Sequence, residues 1–175
     1  SEAEEVVRRV EKHIRDTEKK IRDIVRRVKE EVDRNSERVR EMVERVRKEI
    51  EELERAQVPE DRIEEEAKRL EEELKRILEE DKRNIDRLKE ELDRELEDLR
   101  RNIREVERRL DELTRRGLKK EVVDELKKRH REVLEEARRL IEELKERAER
   151  SHRESKKLID ELREEIRRVL EERRR

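Results

Sequence analysis

Apolar residues return along this chain in steps of 4-3-4-3-4, an 18-residue period with five core positions, inside long segments free of Gly and Pro. Eighteen divided by five is 3.6, the turn of an undistorted α-helix. A seven-over-two repeat would force a left-handed supercoil, whereas a 3.6 period keeps its stripe on one face of a straight helix. On the first stretch the core positions run from Val10 and Ile14 through Asn35 and Met42 to Ile50 and Leu53. The second runs from Leu74 and Leu78 to Leu110, and the third from Leu126 through Leu140 and Leu158 to Val169. A flanking column repeats at the same distance, Val7, Val25 and Val43 on the first stretch and Val123, Ile141 and Ile159 on the third. It widens the stripe enough for each helix to face two others.

Breakers occur in two places. In Ala56-Gln57-Val58-Pro59-Glu60-Asp61, Pro59 has the φ suited to a first helical position, and the acids after it suit the positive end of the helix dipole. In Arg115-Arg116-Gly117-Leu118, Gly117 is placed for the left-handed conformation past a helix end, with Leu118 as its apolar contact. Ser1 and Glu4 have capping-box spacing, and Arg173, Arg174 and Arg175 suit a carboxyl terminus. The expected fold is therefore all-α: one single-chain, antiparallel, up-down-up three-helix bundle with long, nearly untwisted helices. Its helices cover about 2–56, 59–116 and 119–173, each roughly 80 Å long. Lys119-Lys120 is the weak point, because a Ser or Asp cap is expected there.

Polar residues interrupt the stripes at two heights. Folding the chain at its turns sets positions whose numbers total about 115 (helices 1 and 2) or about 235 (helices 2 and 3) side by side. At one level this collects Asn35, Ser36, Asp81, Asn84, Ser151, His152 and Ser155. Asn35, Asp81, Ser151 and Ser155 stand in core columns; Ser36 and Asn84 are boundary residues. The other level collects His13, Thr17, Asn102 and His130, with Thr17 and His130 in core columns. An unpaired buried polar group costs a few kcal/mol, so grouping them lets them satisfy one another. The expectation is two hydrogen-bonded layers that penalise a slip by one repeat, an exchanged chain or the opposite handedness.

Composition narrows the function. Charged residues make up 63% of the 175 and aromatics 0%, and the 54 basic and 56 acidic side chains nearly cancel to −2. With no net basic field and no aromatics for bases to stack on, nucleic acid is not an expected partner. No apolar stretch approaches the roughly 20 residues that span a bilayer, and the acidic Ser1-Glu2-Ala3-Glu4-Glu5 is unlike a signal peptide, so a soluble chain is expected. There is no cysteine for disulfide or thiolate chemistry. Acid four residues before base, as in Glu11–Arg15, Glu41–Arg45, Glu72–Arg76 and Glu143–Arg147, adds helix stability of roughly 0.2–0.5 kcal/mol per pair.

Three chemical readings compete with the structural one. Glu149-x-x-His152 has the spacing of di-metal carboxylate bundles, but there is a single copy and Glu149 lies outside the core column. His13 and His130 approach each other with no carboxylate in the neighbouring core columns, so no metal or cofactor is expected. Catalysis needs a concave site with oriented groups, for which a narrow bundle has little room, so no enzyme is expected. A buried His130 resists protonation while a His152–Asp81 pair acts in the opposite sense, which predicts a modest acid response.

The 18-residue columns Val7/Val25/Val43 and Val123/Ile141/Ile159, the two polar levels, and the restriction of Gly and Pro to turns resemble computationally designed helical bundles built from parametric straight helices. The resemblance spans the whole chain and implies a de novo, hyperstable, monomeric scaffold with no native ligand or partner and no natural location. The alternative is a structural coiled-coil or partner-binding module, or a pH-responsive bundle.

Overall fold

The structure, a computed structural model, describes residues 2–56 and 58–174, Arg174 by its backbone only. The expected roles of Ser1, Gln57 and Arg175, and of the Arg174 side chain, lie outside the described residues. Three α-helices account for nearly all of the described chain: α1 (Glu2–Arg55), α2 (Glu60–Arg115) and α3 (Lys120–Arg174).

The turns follow from backbone chemistry. Gly117 has φ of 107°, a conformation that costs a residue with a Cβ. Leu118 N–H donates to Leu113 C=O at 2.9 Å and Gly117 N–H to Thr114 C=O at 3.2 Å, the paired bonds of a Schellman motif closing α2. Leu113 and Leu118 both pack on the same apolar cluster, the contact that accompanies the motif.

At the other turn the structure moves Pro59 by one place from its expected position. Pro59 C=O accepts from Arg62 and Ile63 N–H (3.1 and 3.2 Å), so it is the cap of α2, and Glu60 is the first helical residue. The missing N–H matters in neither position, which is why the sequence does not distinguish them.

The chain divides into two compact units, Ser1–Lys29 with Lys89–Glu146, and Glu30–Leu88 with Arg147–Arg175. Each takes one stretch of every helix. In the first, which holds the Gly117 turn, Val10, Ile14, Leu99, Leu110, Leu126 and Ala137 belong to one core cluster. In the second, which holds the Pro59 turn, Val46, Ile50, Leu70, Leu74, Leu162 and Ile166 do. In the second unit α1 and α2 are antiparallel, since Asn35 meets Asp81 (2.6 Å) and Glu49 meets Arg69 (3.2 Å); in the first α2 and α3 are, since Lys127 meets Asp111 and Arg131 meets Glu107 (2.9 Å).

Burial corrects the stripe in one respect. Val43, Ile77, Ile141 and Ile159 are buried, whereas Met42, Leu78, Leu140 and Leu158, expected in the core columns, are only partly so. Adjacent helical residues are about 100° apart, and here each pair straddles the centre of the stripe. In each of these pairs the β-branched member is the one turned inward, and the one without a branch at Cβ closes the edge. No described large hydrophobic side chain is exposed.

Candidate functional site

The first polar level lies in the second unit, on a carboxylate. Asp81, on α2, is 1% exposed. Its Oδ1 accepts from Asn35 Nδ2 of α1 at 2.6 Å, and its Oδ2 accepts from His152 Nδ1–H of α3 at 2.7 Å. Asn35 Oδ1 in turn accepts from Asn84 Nδ2 at 3.1 Å. A chain of hydrogen bonds thus joins one stretch of each helix around a single buried charge.

Removing that carboxylate from water is costly, and bonds to both oxygens are what offset the cost. His152 remains partly exposed, with 19% of its side chain reaching solvent. The other expected members are less engaged. Ser151 is buried with no hydrogen-bond partner for its hydroxyl among the described residues, Ser155 is buried, and Ser36 is half-buried.

The second polar level, in the first unit, differs from the expected hydrogen-bonded layer. Thr17 Oγ1 donates to its own helix, to His13 C=O at 2.8 Å, so it spends its hydrogen on the turn below. Asn102 is exposed. His13 and His130 meet edge to face, their ring centroids 5.4 Å apart and their planes at 89°.

His130 is fully buried, and neither of its ring nitrogens has a hydrogen-bond partner among the described residues; nor has His13 Nε2. Each such orphan costs about 1–3 kcal/mol. Burial first, and the neighbouring His13 second, push the His130 imidazole down to a pKa of about 4, against a smaller opposing pull from the Glu107 carboxylate. Matching heights brought these residues together, but complementary donors and acceptors did not follow.

Beside His13 a groove of about 520 Å³ opens between α1 and α2, with Val10, Val106 and Leu110 on its walls and Arg9, Arg109 and Glu105 at its rim. Among the described residues no group of three or more His, Cys, Asp or Glu side chains is placed to hold a metal ion. No described helix is long and apolar enough to cross a membrane.

Sequence reasoning missed one contact. Arg173, expected to serve the end of its own helix, reaches α1, where Nη2 donates to the Glu54 carbonyl at 2.9 Å and to those of Leu53 and Ala56. These are terminal carbonyls that α1 itself leaves without donors. A long arginine across a helix boundary leaves no periodic signal.

No protein-family model matches the chain, and no curated protein does. One solved structure, described as a computationally designed three helix bundle, is similar to it at 19% identity and a TM-score of 0.46, over 98% of this chain and 85% of that one.

Proposed function

We propose that this chain is a designed, hyperstable structural scaffold, monomeric and without catalytic activity, in which the buried polar residues select one packing of the helices. The bond pattern at Asp81 carries this reading. A carboxylate that is 1% exposed takes one hydrogen bond from α1 and one from α3, so a shift of either helix by a repeat would strand it. Idealised composition supports the designed origin, with one Gly and one Pro, both in turns, and no aromatic residue in 175.

Sedimentation equilibrium tests self-sufficiency. A species of 21.9 kDa fits the proposal, and a dimer or trimer would replace it with a module completed by another chain.

Specification is tested separately. Asp81→Ala takes the acceptor from Asn35 Nδ2 and His152 Nδ1 and is expected to cost about 1–3 kcal/mol in urea unfolding. Replacing Asn35, Asp81 and His152 together with Leu removes the penalty along with the bonds, so thermal stability is expected to stay level or rise. That triple variant is expected to show more than one set of amide resonances, or mixed oligomers. A single monomeric species would mean that the aliphatic stripes alone choose the packing.

A further inference from the structure

The repeat is broken on both walls of the groove between α1 and α2. Val6 shares its 18-residue column with Ile24 and Met42, and Val106 shares its own with Leu70 and Leu88. Shorter side chains at both places leave space that the other repeats fill. His13 stands in the column of Glu31 and Glu49, and Leu113 in that of Glu95. Two of those glutamates reach across the same seam, Glu95 to Lys20 (3.9 Å) and Glu49 to Arg69 (3.2 Å). At the groove neither column has a carboxylate to do so.

Charge departs from the repeat as well. Arg27 lies 3.8 Å from Glu91 across the α1–α2 seam. One repeat nearer the Gly117 turn, the antiparallel register turns that pair into Arg9 and Arg109. Two guanidinium groups thus stand where a base and an acid attract elsewhere, and both line the groove. Arg109 is held by Glu105 of its own helix at 3.3 Å, while Arg9 has no ion pair among the described residues. The charged lining is Arg9, Arg109 and Arg116 against Glu105 and Glu112, an excess of one positive charge.

Shape fits an elongated apolar guest. The groove holds about 520 Å³, within the range of small-molecule sites, and Val6, Val106, Leu110 and Leu113 give it apolar walls. From Val6 to His13 it runs about 10 Å at about 1.5 Å per residue, enough for octanoate in extended form. A cation is repelled by the arginines, and a neutral chain leaves them without an anion.

We propose that this groove binds an aliphatic monocarboxylate, its headgroup between Arg9 and Arg109 and its chain along Val6, Val106 and Leu113. The site is independent of the Asp81 cluster, so the scaffold reading stands whether or not it holds.

The probe is sodium octanoate, titrated into the full chain at pH 7.5. Calorimetry and the methyl signals of the valines and leucines are followed together. The expected result is one octanoate per chain with a dissociation constant on the order of 0.1–1 mM, shifting the Val6, Val106 and Leu113 signals. Hexanoate is expected to bind at least about fourfold more weakly, because it buries two fewer methylenes. Octylammonium, with the same chain and the opposite charge, should not saturate the site. Arg9→Glu, at an exposed position, restores the repeat's attraction to Arg109 and is expected to weaken octanoate at least tenfold with the helical signal unchanged. Val106→Leu, which restores the residue of the neighbouring repeats, should do the same by filling the groove. Arg45→Glu makes the same charge change at an exposed position of the second unit and should leave the affinity as it was. Equal binding of octylammonium, undiminished binding in Arg9→Glu, or no saturation below about 10 mM octanoate would each overturn the proposal.

Discussion

His130 and His152 lie on the same helix, yet only His152 is hydrogen-bonded to an acid. The consequence is a pH dependence with a definite sign. Free histidine titrates near 6.5, and in the folded chain His130 is held down at about 4 because burial, and then His13, penalise its charged form. Between those values the unfolded chain binds a proton that the folded chain refuses, so stability rises with pH across the window. The contribution is complete above about pH 6.5 and is lost as pH falls towards 4, at most about 3 kcal/mol. Urea unfolding in chelator-containing buffer at pH 7.5, 5.5 and 4.5 would measure it. Carboxylates also titrate in the lower part of that range, so the informative quantity is the difference from His130→Leu. The variant should be the more stable protein, by a margin that widens as pH falls. Parallel pH profiles would mean that His130 is not the group responsible.

Helix ends, more than helix interiors, decide what can be improved in the three elements. Lys119 is the cap of α3, since its C=O accepts from Val122 and Val123 N–H, and its side chain has no acceptor to offer the first turn. Two lysines at that end also oppose the helix dipole. Lys119→Asp supplies an acceptor and reverses the charge at an exposed position, so it is expected to stabilise the chain by about 1 kcal/mol in urea unfolding. An unchanged midpoint would show that neighbouring groups already satisfy that turn. What was legible at this scale follows the same division. Period, breakers and the Gly117 cap can be read directly, because each rests on backbone geometry. Choosing Val43 over Met42, or Ile141 over Leu140, could not be read, because a column is located only to within one residue when adjacent residues straddle its centre. Arg173 was beyond reach for another reason: its partners are carbonyls on a different helix, which no local spacing encodes.

Across the whole molecule the question is whether charge or apolar burial holds the fold, since 110 of 175 residues carry a charge. The same uncertainty governed the polar levels. Turn positions place residues at one height, which sufficed for Asn35, Asp81 and His152, but height does not fix which atoms face each other, and His13, Asn102 and His130 show the difference. The surface charges pair mainly within reach of one turn, as in Arg139–Glu136 and Arg109–Glu105, or across helices, as in Arg147–Asp33. Most are exposed, so each contributes about 0–1 kcal/mol and is screened by salt. Opposite charges nearly cancel, so there is little net repulsion for salt to relieve in compensation. Raising sodium chloride from 0.05 to 1 M should therefore lower the urea midpoint modestly. Without denaturant, the helical circular dichroism should not change, because the buried stripes do not depend on ionic strength. A helix held up by its charges alone would behave otherwise and lose signal as salt shortens the reach of each pair to about 3 Å. Loss of native helicity in salt would assign the fold to its surface, and the packed rows of valine, isoleucine and leucine would then be the lesser contribution.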